Sequence, residues 1–321
     1  MERFVFVVAV AVAIMFGVVA MVGGPHWSNF SIHIDDDGEG GVAPVVTASA
    51  GTMAAETFPG EEISIRNLAA IVTITPEDRT DYVVEIDNTP GQLPMPTVSA
   101  DEDRVTIDGQ LRGRVRDCGE AGSARVRGYG DEEFEAAELP HITIRAPRTL
   151  RIYRGGAGTT EIGASETLNL DVRGCSTTNV ADVTGLLAVD VSGSGDINAG
   201  AAQTLNADVR GSADVVVGAV AEGASLDLSG SGSVTIASLA GELTSDERGS
   251  GSVAVQAGAI TAANIDLSGS GDVNIGATVQ DLDVSIRGSG GVAVTAAVVN
   301  IDADITGSGS VTAASATGRV H

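Results

Sequence analysis

A glycine-centred motif recurs through the second half of the chain. The first glycine of each "GSG"-like element serves as a marker, and intervals of 18 to 20 residues separate Gly174, Gly193, Gly211, Gly230, Gly249, Gly269, Gly288 and Gly307. A weaker ninth copy is "RIYRGGAGTTEI", with Gly155 or Gly156 as its marker. A flexible linker would not keep such a period, whereas a fixed period near this length is typical of solenoid proteins.

The residues around each marker predict the fold. In most copies the positions two before, four after and six after the marker are aliphatic, as in Leu228, Val234 and Ile236 around Gly230. Alternate residues of a strand point to one side, so these positions should face inward, with the glycine at the corner between two short strands. We therefore predict an all-β fold, a single-stranded parallel β-helix (β-solenoid) with coils of about 19 residues stabilised by their neighbours.

Two departures from the pattern bear on the fold. The copy at Gly174 reads "RGCSTTNV" and lacks the second glycine, and Glu247 stands at an inward position. We interpret Glu247 as a local bend or as an error of register in the alignment of the copies.

Two charged columns are predicted to face outward. Three residues before the marker stand Asp171, Asp190, Asp208, Asp227, Asp246, Asp266 and Asp304. One residue before it stand Arg173, Ser192, Arg210, Ser229, Arg248, Ser268, Arg287 and Thr306. The pattern predicts parallel surface ladders in which each arginine reaches carboxylates above and below it, every pair contributing about 0–1 kcal/mol.

The N-terminus predicts a membrane segment. Residues 4–22 carry no charge, which is long enough for a transmembrane helix, and Arg3 precedes them while Asp35, Asp36 and Asp37 follow. We predict an uncleaved signal anchor, with a cleaved signal peptide as the alternative. The membrane is then a partner, and the solenoid lies in the cell envelope, anchored to the inner membrane and facing the periplasm, or is exported.

Four segments follow from these patterns. Residues 1–22 are the N-terminal signal anchor or transmembrane helix, and residues 23–58 are predicted as a flexible linker. Residues 59–147 are predicted as irregular β coils or a cap, with a surface loop or insertion at 112–138, and residues 148–318 as the regular solenoid. "ISIRN", "AIVTIT", "YVVEID", "RVTIDG" and "HITIRAP" are the predicted strands of the cap.

Charge and cysteine usage limit the partners. The net charge is −25 and all 18 basic residues are arginine, so a nucleic acid is not an expected partner. In an oxidising compartment Cys118 and Cys175 either form a disulfide or remain two unpaired thiols.

The repeats offer little catalytic chemistry. Tyr153 is the last aromatic residue, and residues 168–318 contain no His or Lys, so we assign no catalytic residue, no cofactor-binding residue, no metal ligand and no cofactor. Asp196, Asp214 and Asp272 lie just after corners and leave Ca²⁺ binding as an alternative. A polysaccharide-acting (carbohydrate-active) β-helix enzyme is a third possibility.

The motifs resemble a known family. From about Ile63 to Gly318, "ISIRNLAAIVTI", "HITIRAPRTLRI" and the serial "SGSGDINA", "SGSGSVTI", "SGSGDVNI" and "TGSGSVTA" are similar to the head GIN domain family of bacterial auto-transporter adhesins. The resemblance implies a β-helical solenoid and transfers no catalytic residue. We therefore expect a non-catalytic, envelope-facing structural or adhesion-like surface protein, with a ligand- or Ca²⁺-binding sensing module as the alternative. The expected partner is an envelope protein or glycan, with self-association possible through the solenoid ends.

Overall fold

The computed structural model describes residues 47–118, 122–127 and 133–321, apart from the side chains of residues 116 and 117. The predicted membrane segment, residues 1–22, and the linker up to residue 46 lie outside the described residues. In the part that is described, no helix combines the length and the apolar character needed to cross a membrane.

The N-terminal strands close one end of the solenoid. They are β1 (Gly51–Pro59), β2 (Glu62–Ala69), β3 (Ile71–Glu77), β4 (Asp81–Asn88), β5 (Thr97–Ala100) and β6 (Arg104–Asp108). β2 and β6 are parallel, whereas β1 pairs antiparallel with β4, and β5 with β6. The structure differs from the predicted linker over residues 51–58, because these residues pair with β4 as part of β1.

An insertion and a further strand follow. The insertion contains β7 (Val115–Cys118), β8 (Ala124–Val126), β9 (Glu133–Phe134) and a 3₁₀ turn (Ala136–Glu138). β10 (His141–Pro147) then pairs parallel with β3 and antiparallel with β4. All five strand motifs predicted for this part of the chain are strands: β2, β3, β4, β6 and β10.

The remaining strands stack as parallel coils. They are β11 (Thr149–Ala157), β12 (Thr159–Ile162), β13 (Thr167–Gly174), β14 (Thr177–Val180), β15 (Val183–Gly193), β16 (Ile197–Ala199), β17 (Ala202–Gly211), β18 (Asp214–Gly230), β19 (Ser233–Gly249), β20 (Ser252–Val255), β21 (Gly258–Gly269), β22 (Asp272–Ile275), β23 (Thr278–Gly288), β24 (Gly291–Gly307) and β25 (Ser310–Ala316). Each marker glycine from Gly174 to Gly307 ends one strand, and the next strand begins a few residues later. The predicted all-β solenoid with coils of about 19 residues is confirmed.

The marker glycines form a continuous file along the corner. Gly230 has φ 134°, and a Cβ at this position would overlap the carbonyl oxygen of Gly211 in the preceding coil. That oxygen accepts a hydrogen bond of 2.8 Å from the backbone N–H of Ser231. Gly156, not Gly155, is the marker of the weaker copy, because it has φ 104° and pairs with Gly174.

The interior is a set of aliphatic columns. Val234 and Ile236 are fully buried and Leu228 is almost so, as predicted for the inward positions. The positions four and six before the marker are also inward, as at Leu226 and Ala224. Each coil buries only small and medium side chains, so it depends on the coils above and below to complete its core.

Glu247 is inward, and both interpretations given for it are wrong. It lies in register between Leu228 and Leu267, within an uninterrupted strand β19. Its side chain is only 2% exposed because it occupies the aliphatic column. Oε1 accepts a hydrogen bond of 3.4 Å from the hydroxyl of Ser245, while Oε2 has no partner among the described residues. Burial raises the pKa of Glu247 to about 8.

Arg154 places a second ionisable side chain in the same column. It is fully buried, and it donates hydrogen bonds to Thr160 Oγ1 at 2.9 Å and to the carbonyl oxygens of Gly155 at 2.6 Å and Ala157 at 2.5 Å. Burial lowers the pKa of its guanidinium to about 10. The backbone carbonyls of the first glycine corner thus take the place of a carboxylate partner.

Candidate functional site beside the disulfide

The insertion is a small antiparallel sheet packed on the first coils. β8 pairs with both β7 and β9, and its residues Ala124 and Val126 are buried together with Phe134 of β9. These side chains pack with Leu111 and Ala157 in a second apolar cluster, separate from the solenoid interior. The predicted surface insertion is therefore attached to the solenoid by its own core.

A disulfide fixes the insertion to a glycine corner. Cys118, at the end of β7, is bonded to Cys175, with the two Cα atoms 5.6 Å apart. Of the two alternatives left open by the sequence, the paired form is present. Cys175 occupies the position directly after the marker, where later copies carry serine, such as Ser194 and Ser231. The copy "RGCSTTNV" thus differs from the repeat at the residue, Cys175, to which the insertion is bonded.

A groove of about 440 Å³ lies between the insertion and the first glycine corners. Leu111 and Val115 line it from the insertion side, and the glycine corners at Gly156 and Gly174 line it from the solenoid. Its volume is within the range of about 300–1,000 Å³ that is typical of small-molecule sites.

The centre of the groove is a gap between two arginines. Gly155 stands one residue before its marker, a position that holds arginine, serine or threonine in the other copies. In the following coil its partner is Arg173, and in β2 it faces the bulge that contains Arg66 and Asn67. A Cβ on Gly155 would lie 3.2 Å from Cε1 of Tyr153, so the tyrosine ring covers the position that a side chain would otherwise fill.

Both arginines are held in place by a carboxylate and remain open to solvent. Arg66 Nε lies 3.2 Å from Asp108 Oδ2, and Arg173 Nε lies 2.7 Å from Asp171 Oδ1. Their side chains are 51% and 43% exposed. The hydrogen bond to Asp171 raises the pKa of Arg173 above its ordinary value. Arg173 also donates a hydrogen bond of 3.2 Å to Asp171 Oδ2 and lies 3.9 Å from Asp190 of the following coil, so three carboxylates surround the two guanidinium groups.

The two predicted surface ladders are present, but Arg210 and Arg248 each pair with a carboxylate of their own coil and one of the preceding coil, not with carboxylates above and below as predicted. Arg210 pairs with Asp208 of its own coil and, at 3.2 Å, with Asp190 of the preceding coil. Arg248 does the same with Asp246 at 2.5 Å and Asp227 at 3.3 Å. Each arginine thus bridges two coils, but the side chains are one third to one half exposed, so each pair contributes about 0–1 kcal/mol.

The three aspartates considered for Ca²⁺ are not brought together. Asp196 and Asp214 lie in successive coils, and Asp272 lies three coils further on. Asp214 accepts a hydrogen bond of 2.5 Å from Ser233 Oγ, and Asp272 accepts one of 3.0 Å from the backbone N–H of Gly291. In the described ranges, no three His, Cys, Asp or Glu side chains are grouped so that they could hold a metal ion.

The repeats match a family model. Residues 218–315 match the model described as "Putative auto-transporter adhesin, head GIN domain". These residues are similar to the head GIN domain family. The resemblance seen in the sequence is thereby confirmed over residues 218–315.

The chain is also similar to several solved structures at low sequence identity. A "putative adhesin" from Parabacteroides merdae is 13% identical, with 83% of this chain and 95% of that chain covered and a TM-score of 0.40. A "putative adhesin" from Parabacteroides distasonis is 15% identical, with 84% and 99% covered and a TM-score of 0.40. A "putative lipid binding protein" from the same species is 14% identical, with 85% and 96% covered and a TM-score of 0.34. TM-scores this low support no conclusion about function, and no curated protein matches the chain.

Sequence reasoning missed the groove. Tyr153 and Arg173 belong to successive copies of the repeat, but Arg66 lies outside the repeat, so the period does not place Arg66 beside them. One signal was present: Gly155 interrupts the outward arginine and serine column, two residues after the last aromatic side chain.

Proposed function

We propose that this chain is a non-catalytic, envelope-facing surface protein of the adhesin type, which presents a binding groove on a rigid solenoid. The observation that carries the proposal is the insertion, bonded through Cys118 and Cys175 to the solenoid and bordering an open groove. Binding residues are often placed in loops that a rigid scaffold positions. The disulfide supports an oxidising compartment, and the family match of residues 218–315 supports an adhesin.

The proposed location and partners follow the sequence analysis. Residues 1–22 tether the chain to the inner membrane with the solenoid in the periplasm, or direct its export. The partner is an envelope protein or glycan, and a net charge of −25 disfavours nucleic acid. Self-association at the C-terminal coil is a second proposed contact, favoured by the 40% exposure of Ile305, which stands in an inward column.

The test compares the intact chain with a variant that lacks residues 112–138. The variant also carries Cys175→Ser, because serine occupies this position in the later copies. Full-length proteins in detergent are coupled to beads and incubated with native envelope fragments. We expect the intact chain to retain fragments and the variant to retain far fewer, because the groove loses the wall that the insertion supplies.

A matched control separates binding from folding. Arg248→Ser removes a ladder arginine four coils beyond Arg173 and should retain fragments like the intact chain, while circular dichroism verifies the strand content of all proteins. Failure of the intact chain to retain fragments, or equal retention without residues 112–138, would overturn the proposed function. No observation in the described residues specifically favours the Ca²⁺-sensing or the polysaccharide-acting alternative.

A further inference from the structure

One glycine corner has a polar interior. Four polar side chains at inward positions of two successive coils have no exposed surface: Arg154, Thr160, Ser176 and Thr178. The position of Ser176, two residues after the marker, is glycine or alanine in every other copy. The position of Thr178, four residues after the marker, is isoleucine or valine in every later copy. The polar residues are thus grouped around Arg154 instead of being spread along the core.

The charge of Arg154 is not neutralised by its contacts. Its hydrogen bonds to Thr160 and to the carbonyl oxygens of Gly155 and Ala157 use three of the five N–H groups of a guanidinium. No carboxylate of the described residues forms an ion pair with it. The carbonyl groups orient the guanidinium but carry no net charge. Because burial of a charge without an opposite charge is strongly unfavourable, this corner favours an anion.

Two buried hydroxyl groups in the next coil have no hydrogen-bond partner among the described residues. They belong to Ser176 and Thr178. Thr178 is in register with Thr160, whose hydroxyl accepts the hydrogen bond from Arg154. The backbone N–H of Thr177 donates to the carbonyl oxygen of Gly158 at 3.1 Å. The residues that carry the two hydroxyls therefore lie one strand spacing, about 4.8 Å, from the corner that holds the guanidinium.

The corner beside Ser176 is not filled by the equivalent side chains of the adjacent coils. The position two after the marker is Gly158 in the coil before and Gly195 in the coil after, and both are buried. One acceptor can bridge donors up to about 6 Å apart, because each hydrogen bond is about 3 Å long. The strand spacing is shorter than this limit, so a single small ion is within reach of the guanidinium and of the two hydroxyls.

We propose that this corner encloses a chloride ion, bound by the guanidinium of Arg154 and the hydroxyls of Ser176 and Thr178. The groups left without partners are N–H and O–H donors, which suit a negatively charged acceptor. A water molecule would satisfy the hydroxyls but leave the guanidinium charge uncompensated. A larger anion would need an opening, and none of these side chains has exposed surface. The site is separate from the groove and goes beyond the adhesive function.

The experiment is urea denaturation of the full-length protein at several chloride concentrations. Sodium gluconate replaces sodium chloride so that the ionic strength stays constant, and gluconate is too large for an enclosed corner. A ligand that binds only the folded state raises the ratio of folded to unfolded protein about tenfold for each tenfold rise in its concentration above the dissociation constant. We therefore expect the midpoint of urea denaturation to rise with chloride.

Two variants remove the donors in different ways. Ser176→Ala combined with Thr178→Val removes both hydroxyls and introduces the residues that the Gly211 coil carries at these positions, so the fold should be kept. Arg154→Leu removes the cation and introduces a residue found at this position in later coils. Both variants should lose the dependence on chloride. Arg248→Ser removes an exposed arginine of the ladder and should keep it, which excludes an effect of chloride on surface charges.

Bromide distinguishes an enclosed anion from a water molecule, because bromide scatters X-rays anomalously and water does not. Crystals of the intact chain grown in sodium bromide should show an anomalous peak between Arg154 and Thr178, and crystals of the variant without the two hydroxyls should show none there. The proposal is overturned if the intact chain lacks this peak, if its urea midpoint does not depend on chloride, or if both variants keep that dependence.

Discussion

The hydroxyl of Ser245 donates a hydrogen bond of 3.4 Å to Oε1 of Glu247, inside a column that is aliphatic in the neighbouring coils. The other carboxyl oxygen has no partner among the described residues. One weak hydrogen bond does not replace the hydration that the carboxyl group loses on folding. The buried acid therefore disfavours the folded state relative to an aliphatic side chain at this position.

Replacing Glu247 by leucine should stabilise the protein. Leucine occupies the same column in the coils before and after, at Leu228 and Leu267, and has a similar volume. Removal of a buried, poorly paired acid should raise the free energy of unfolding at pH 7 by about 1–4 kcal/mol. Urea denaturation of the full-length proteins measures this, with Ser231→Ala as an exposed control. A decrease in stability would show that the carboxyl group has a stabilising partner.

The free energy of unfolding should depend on pH through the titration of Glu247. Its ordinary pKa is 4.5 and burial raises it to about 8 in the folded protein. Between these values the folded state holds a proton that the unfolded chain has released, so stability falls as pH rises from 4.5 to 8 and levels off above. The slope from this group is at most about 1.4 kcal/mol per pH unit.

The measurement is the difference between the intact chain and Glu247→Gln. Both share every other titrating group, so subtracting their urea-unfolding curves at each pH isolates this carboxyl. Identical pH profiles would mean that Glu247 is not buried as a neutral acid.

Substitution in the glycine file should be costly. Gly230→Ala places a Cβ on a residue with φ 134° and against the carbonyl oxygen of Gly211. The strain and the displaced coil should lower the free energy of unfolding by at least about 1–3 kcal/mol. Ser231→Ala, one residue further on and exposed, keeps the backbone N–H that bonds to Gly211 and should cost less than about 0.5 kcal/mol. Equal effects of the two substitutions would contradict a steric role for the glycine file.

Loss of the disulfide should loosen the insertion and leave the coils intact. The bond joins residues 57 apart, and removal of a native disulfide typically costs about 2–5 kcal/mol. Cys175→Ser introduces the residue that later copies carry at this position, so the conformation of the glycine corner should not change. Limited trypsin digestion should then cut at arginines of the insertion, such as Arg125 and Arg127, before any arginine of the coils. Cleavage at Arg210 or Arg248 at the same rate would show that the whole solenoid depends on the bond.

The inward columns could be predicted because they repeat. Val234 contacts Val215 and Val253, which occupy the equivalent position in the preceding and following coils. The same contact is formed in every coil, so its residue type recurs in the sequence with the period of the coil. The Asp and Arg ladders were predictable for the same reason. The interpretation of Glu247 was wrong because an acid is not expected in an aliphatic column. Its backbone nevertheless stays in register with Leu228 and Leu267.

The groove could not be predicted because its contacts occur once. Arg66, Tyr153 and Arg173 meet only after β2 has paired with β11 and β11 with β13. The choice between a disulfide and two thiols depended equally on where the insertion folds back, since Cys118 lies outside the repeat.

The sequence by itself determined the solenoid: its period, its glycine corners, its aliphatic columns and its charged ladders. These features depend on contacts between equivalent residues of neighbouring coils. Because the same contact is repeated in each coil, the residue types that form it recur at a fixed interval in the sequence. Only the tertiary structure decided the closure by β1, β4 and β5, the bond between Cys118 and Cys175, and the meeting of two arginines with Tyr153. Each of these is a single contact between distant segments, set by how the chain packs in space rather than by a repeated local pattern.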